Sequence, residues 1–506
     1  MLARKSALII ITNILNAVMG YFAIFFVARF MDSPDYALGV VSFAYGFVNI
    51  FYVFSDLGFE RAHVKRISEG RSFEECMGTF AVIKILLTGL MAVLLFVSLF
   101  VWTDLFGRGF ESLVHEKAIY VMLCYFILWS FTQVFRITFM AKKEIAKAEL
   151  PMFFETLGRV VATFIVVFMG LGILALAYTY IVGEIAVFFT SLYFFRGYKL
   201  KKPSLEYFRL YCKFAFPLAI VVASSIIMIN IDKVLIQLFW GAVEGGNYFA
   251  VFRLSRFIDM STVAIGILLF PTMSALFVGK NMSSMKSLSV KSERYLSMVI
   301  FPIVFMMVFL ARPIIHVLLS DTFYPAIPML QILPFFALFN ALEHPYQVKL
   351  LGMDLPKLAR NRIIIMVFVN IVLNVLLIPK DIHILGVKLA GMGAVGAAIA
   401  TVIAYFTGLV YTRILVWKIS KIKFNYRIIL HLFAALVMGV SLFYLNNFYV
   451  IYRWYELVFF GFLGIGIYLG VLYIMREFTR EDFNLFIDTL NIKKMITYIR
   501  DEFKGK

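Results

Sequence analysis

Charge is scarce in this chain of 506 residues. Only 15% of its positions are Asp, Glu, Lys or Arg, against 62% hydrophobic residues, which excludes a water-soluble helical bundle, because such a bundle needs a polar face on every outer helix. Cysteine is scarcer still. Cys76, Cys124 and Cys212 are odd in number, lie at or within apolar runs and lack metal-ligand spacing, so they read as small apolar filler and not as a disulfide framework or a zinc site. The six histidines, His63, His115, His316, His344, His383 and His431, are scattered, without the spacing of a metal site or of a Ser/His/Asp arrangement. Long polar connections are missing too, which leaves no room for a soluble nucleotide-binding or glycosyl-transfer domain. No GxxxxGK[ST] loop appears; the nearest string, Val278-Gly279-Lys280, lacks the first glycine. Transport by such a chain would draw on an ion gradient, the membrane potential or a substrate gradient.

What the chain has instead is long apolar runs. Its mean hydropathy is +0.91, and runs of about 20 residues recur from end to end, the length that spans a bilayer as a helix. They number fourteen, beginning with 7–30 and 36–56, passing through 214–239, 247–277 and 296–319, and ending with 428–446 and 455–475. Arg4 and Lys5 resemble the charged start of a signal peptide, but the run after them is too long, and it reads as the first span.

The connections alternate in charge. Met31–Asp35 and Gly241–Gly246 carry no Lys or Arg, whereas the connection after the second span has Arg61, Lys65, Arg66 and Arg71, and the one after the sixth has Arg196, Lys199, Lys201, Lys202, Arg209 and Lys213. Basic loops belong to the cytoplasmic side, so both termini are expected there. The formal net charge of +18 then matches anionic headgroups and does not indicate a nucleic-acid partner. Trp102, Trp240, Trp417 and Trp454 fall at span ends, as an interfacial aromatic belt requires. In the tail from 476 to 506, Ile492, Ile496, Ile499 and Phe503 recur at helical spacing, which suits either a helix in the cytoplasmic interface or a plain solvated helix end.

An ionisable side chain at membrane depth costs roughly 2.5 to 3.5 kcal/mol on insertion scales and marks a polar cavity by default. The stretch 214–277 carries Asp232, Lys233, Arg253, Arg256 and Asp259 inside apolar runs. At 1.5 Å per residue, Lys233 and Arg253 lie about 10 Å below the non-basic surface on adjacent antiparallel spans, with Arg256 near the midplane. Asp232 and Arg253 are candidates for an internal ion pair. Glu155 and Arg159 are four apart on one helix face, and Glu184 comes to a similar depth. Lys84 and Arg136 lie close enough to span ends to snorkel. Arg253, Arg256, Lys233 and Arg159 are therefore the candidate contacts for an anionic substrate, and Asp232, Glu155, Glu184 and Asp259 the candidate coupling or ion-pair groups.

Three stretches carry a family resemblance. The first, VARFMDSPDYALGVVSFAYGFVNIFYVFSDLGFERAHVKRISEG, resembles the opening of Wzx-type polysaccharide flippases of the multidrug/oligosaccharidyl-lipid/polysaccharide exporter superfamily. The second, INIDKVLIQLFWGAVEGGNYFAVFRLSRF, is similar to the family's seventh and eighth helices; the third, NIVLNVLLIPK followed by GMGAVGAAIATVIAYFTG, to its eleventh and twelfth. This implies an all-α polytopic membrane protein: two six-helix bundles, over 1–212 and 213–420, facing each other in a V, two added helices over 421–475 and a tail over 476–506. The echo of DSPDYALGVVSFAYG in GAVEGGNYFAVFRLS fits an internal duplication. The first span has Asn13 and Asn16 but no arginine between Ser6 and Ala28, unlike lipid II flippases.

The resemblance implies a non-enzymatic flippase in the cytoplasmic membrane that moves a polyprenyl-phosphate-linked oligosaccharide across it. Membrane lipids and glycan polymerase or transferase machinery are the implied partners, with no cofactor and no nucleic acid. Two rivals remain open: an ion-coupled multidrug antiporter of the same fold, which should favour acidic cavity groups, and a membrane glycan polymerase or ligase, which needs a larger outer loop.

Overall fold

The computed structural model describes residues 2–105, 109–382 and 387–479. The candidate amphipathic tail therefore lies almost wholly outside the described residues. The helices follow in order: α1 Leu2–Phe30, α2 Pro34–Asp56, α3 Phe59–Ser68, α4 Phe73–Phe100, α5 Leu113–Ala141, α6 Ile145–Phe168 and α7 Gly172–Phe195. Then come α8 Leu205–Trp240, α9 Ala242–Phe257, α10 Asp259–Val278, α11 Met282–Phe309, α12 Ala311–Leu318 and α13 Ile327–Ile332. The last are α14 Pro334–Gly352, α15 Pro356–Leu377, α16 Gly393–Ser420, α17 Arg427–Phe448 and α18 Trp454–Ile474. The small exception is a hairpin in which β1 Asp381–Ile382 pairs antiparallel with β2 Val387–Lys388.

Among the described residues, thirteen helical stretches are long and apolar enough to cross a membrane. The remaining expected span, 247–277, is divided: α9 stops at Phe257 and α10 restarts at Asp259. The outward surface is apolar, with Phe448 90% and Ile474 79% exposed, while Asn230, Asn370, Asn374 and Glu343 are fully buried. That inversion is the mark of a protein whose solvent is hydrocarbon.

Several helices begin well before their apolar runs. α8 starts at Leu205 because Ser204 caps it, its side chain accepting from the Tyr207 N–H, and Asn281 caps α11 in the same way through the Ser284 N–H. The basic connection after the second span is also helical: α3 buries Phe59, Ala62 and His63 and turns Lys65 outward.

Contacts between connections sort them to two ends. At one end the basic segments meet: Lys201 Nζ lies 3.0 Å from Glu74, Arg66 donates to the Leu210 carbonyl at 2.9 Å and Lys286 to the Lys421 carbonyl at 3.3 Å. At the other end Glu111, ahead of α5, accepts from Gln237 and from the Ala242 N–H at 2.7 and 2.8 Å, and Trp240 donates to the Ile378 carbonyl at 2.7 Å. Here too Arg29 donates to the Val317 carbonyl at 2.7 Å and Tyr21 to the Leu318 carbonyl at 2.9 Å, tying α1 to the end of α12.

Helices α1, α2 and α4 to α7 pack on one another, as do α10, α11, α14, α15 and α16, while α17 and α18 lean on α11. Across the middle α2 packs on α8 and α9. Small residues permit the closest approach. A Cβ on Gly39 would stand 1.8 Å from the Ala242 carbonyl oxygen, and one on Gly246 would stand 1.8 Å from that of Asp35. Without a hydrophobic drive between helices in lipid, such backbone proximity is what holds them.

Candidate functional site

Below the α2–α9 crossing lies a cavity of about 990 Å³, walled by α1, α2, α6, α8, the α9–α10 break, α11, α12 and α18. Arg159, Lys233, Arg253, Arg256 and Asp259 all line it. Four cations thus face one carboxylate. The cations come from three helices, and each sits against an aromatic ring. The Arg159 guanidinium lies 5.0 Å from the Tyr180 centroid, Arg253 5.3 Å from Phe249, Arg256 5.9 Å from Phe252, and the Lys233 ammonium 6.0 Å from Tyr45. A ring face offers a desolvated cation some attraction without neutralising it.

The ion-pair partners differ among the four. Arg159 Nε lies 3.5 Å from Glu155 Oε1, the i,i+4 pair expected from α6. Lys233 donates to the Asn230 side-chain oxygen at 3.0 Å. Among the described residues no carboxylate lies within 4 Å of Lys233, Arg253 or Arg256. Asp259 accepts from Asn340 Nδ2 at 3.1 Å.

Glycines make room for this set. Gly46 on α2 leaves space for the Lys233 stem, since a Cβ there would meet Lys233 Cδ at 3.3 Å. Gly183 on α7 lets α6 approach so closely that a Cβ would stand 2.8 Å from the Glu155 carbonyl oxygen.

The expected pair between Asp232 and Arg253 does not form. Neighbouring residues on a helix project about 100° apart, so when Lys233 enters the cavity Asp232 points away from it, towards α15 and α16. There Asp232 accepts from Tyr248 and Thr401 hydroxyls, each at 2.7 Å, and from Asn374 Nδ2 at 2.5 Å. Asn374 also donates to Asn370 Oδ1 at 3.1 Å. Tyr248, Asn370 and Thr401 escaped notice in the sequence because neutral side chains carry no depth signal, although Asn370 and Asn374 sit four apart on one helix face.

Glu184 is fully buried and accepts from the Thr132 hydroxyl at 2.5 Å; it is neither in the cavity lining nor paired with Arg159. The snorkelling expected of Lys84 does not occur. Its side chain is 0% exposed and its ammonium lies 2.9 Å from Glu60 Oε1, supplied by α3. Arg136 lies 3.4 Å from Glu149.

The model of the family described as "Polysaccharide biosynthesis protein" matches residues 2–277. The chain belongs to that family. Its relatives include the probable low-salt glycan biosynthesis flippase Agl15 of Haloferax volcanii, 22% identical over 430 residues, covering 84% of this chain and 85% of that one. Another is the uncharacterized membrane protein MJ1068 of Methanocaldococcus jannaschii, 27% identical over 211 residues, 40% of this chain and only 37% of the relative's length. The lipid II flippase MurJ in an inward closed conformation superposes with a TM-score of 0.70 at 16% identity, covering 92% of this chain and 99% of MurJ. An inward-facing multidrug resistance MATE transporter of the MOP superfamily does so with a TM-score of 0.63 at 14% identity, covering 80% and 96%. The fold of this polysaccharide biosynthesis family member is thus that of the MOP exporters.

Proposed function

We propose that the protein is a flippase that carries a polyprenyl-phosphate-linked oligosaccharide across the cytoplasmic membrane for assembly of a surface polysaccharide or glycan. The observation that carries this reading is the cavity itself: four cations against one carboxylate, three of them without an acidic partner among the described residues, in the apolar part of the chain. Such a site stabilises an anion that has left water and has no other hydrogen-bond partners in hydrocarbon. Family membership and the likeness to Agl15 point the same way.

In this reading the basic loops and both termini are cytoplasmic. Residues 1–212 supply Arg159, and residues 213–420 supply Lys233, Arg253 and Arg256. Rocking of one half against the other around the bound head group gives alternating access, with no covalent step and so no enzyme chemistry. The lipid tail stays in the bilayer, and glycan polymerase or transferase machinery takes the product. A cavity of this polarity disfavours a cationic drug as substrate.

The test is reconstitution of the full chain into liposomes with lipid-linked oligosaccharide purified from the source membranes. Protein-dependent movement of the glycan to the far leaflet, together with intracellular build-up of lipid-linked glycan in a deletion strain, is the expected result. Normal glycan export in the deletion strain with new drug sensitivity would establish an antiporter instead. Chain extension of the glycan by the purified protein would establish a polymerase.

A further inference from the structure

The cations account for one end of a sugar-bearing lipid phosphate but offer nothing specific to the sugar. Three other residues of the cavity lining do. Asn13 and Asn16 on α1 and Asn49 on α2 all face it, and none of the three has a hydrogen-bond partner among the described residues. Asn13 is exposed and Asn16 and Asn49 are half-buried on the cavity side, although the Asn16 side-chain oxygen itself is closed off by its neighbours. A carboxamide open to the cavity from an apolar helix has a donor and an acceptor to offer whatever occupies that space.

Their placement relative to the cations is ordered. The cavity face of α1 runs Asn13, Asn16, Gly20, and the Arg159 guanidinium rests against Gly20, where a Cβ would come 3.8 Å from Nη2. Asn16 is one helical turn from that layer, about 6 Å along the axis, and Asn13 about 5 Å further. That is the spacing at which a first and a second sugar ring would follow a phosphate. Across from them, Tyr45 lies one turn before Asn49 on α2 and also faces the cavity.

We infer that Asn13, Asn16 and Asn49 form a carboxamide subsite that reads the hydroxyls of the sugars next to the phosphate. A carboxamide donates from its nitrogen and accepts at its oxygen, so it bridges two neighbouring hydroxyls of one ring, a pattern a guanidinium cannot match because it has no acceptor. The ring of Tyr45 supplies an apolar wall for a sugar face. The inference rests on the flippase reading and adds to it a division of labour: cations for the phosphate, amides for the glycan.

Equilibrium binding separates the two. The full chain, embedded in lipid nanodiscs, is titrated with lipid-linked oligosaccharide from the source membranes and with the same preparation after mild acid has removed the glycan. Asn16→Leu combined with Asn49→Leu should weaken binding of the glycan-bearing lipid about tenfold, the scale of two lost neutral hydrogen bonds, and leave the stripped lipid phosphate bound as before. Retained binding of the stripped lipid shows that the variant is folded. Arg256→Ala should weaken both ligands. If the double variant binds the glycan-bearing lipid normally, or weakens both ligands alike, the subsite assignment fails while the flippase reading stands. If the unaltered chain binds neither ligand, the flippase reading itself fails.

Discussion

Gly246 of α9 lies directly over the backbone of Asp35 of α2, so close that a Cβ would stand 1.8 Å from the Asp35 carbonyl oxygen. The relationship is reciprocal, because Gly39 of α2 meets the Ala242 carbonyl of α9 at the same distance. These are the two segments whose sequences echo each other, DSPDYALGVVSFAYG and GAVEGGNYFAVFRLS. These two echoing helices cross above the cavity, at the end where Arg29 and Tyr21 tie α1 to the end of α12.

Filling that crossing should pry it open. Gly246→Val or Gly39→Val places methyl groups where backbone atoms stand, and overpacking of this kind costs about 1 to 3 kcal/mol. Glycan export should fall sharply and the thermal unfolding midpoint of the purified protein should drop. Gly470→Val, on α18 with nothing near its missing Cβ, should change neither. Equal behaviour of all three variants would remove the crossing from the mechanism.

Arg256 stands in the cavity with a ring beside it and no carboxylate within 4 Å among the described residues. If it holds the anionic head group, Arg256→Ala should cut export roughly 30-fold or more, the equivalent of ~2 kcal/mol for a charged hydrogen-bond partner, at unchanged protein level. Arg256→Lys should keep part of the activity, retaining charge without the bidentate fork. Export by Arg256→Ala at the normal rate would return the residue to helix packing.

Depth along an apolar run was enough to pick out the cavity-lining cations, because an ionisable residue in hydrocarbon is conspicuous whatever its neighbours. Azimuth was not legible. Asp232 and Lys233 are adjacent in the chain and read as one feature, yet one turns to the cavity and the other to α15 and α16. The partner of Lys84 was hidden for another reason: Glu60 sits in what reads as a polar loop, and only the amphipathic turn of α3 brings it back under α4. Span positions were clear from hydropathy, while helix starts such as Leu205 and Met282 depend on single capping side chains.

The Asp232 cluster joins four helices, α8, α9, α15 and α16, through three donors on one carboxylate. Asp232→Ala leaves the buried Asn374, Tyr248 and Thr401 groups without their acceptor, and each unsatisfied group costs about 1 to 3 kcal/mol. The expected outcome is a large loss of thermal stability in detergent, with Thr401→Val, which removes one donor, losing much less. Comparable losses for the two would show that the carboxylate is not the centre of the cluster.

Lys84 gives the sharpest stability test, because its ammonium is fully buried and its partners are identified: Glu60 at 2.9 Å, the Ser55 carbonyl at 3.2 Å and the Tyr52 hydroxyl at 3.5 Å. Stranding the fully buried Lys84 ammonium costs about 3 to 5 kcal/mol, stranding the partly exposed Glu60 carboxylate costs less, and replacing both by neutral groups of similar volume is far milder. Glu60→Gln should therefore destabilise the protein strongly, Lys84→Met somewhat less, and the double variant Lys84→Met with Glu60→Gln should recover most of the Glu60→Gln loss. The unfolding midpoints of the three purified variants measure this directly. If the double variant loses the sum of the two single losses, the pair is not coupled, and Lys84 is held by other groups, the Ser55 carbonyl and Tyr52 among them.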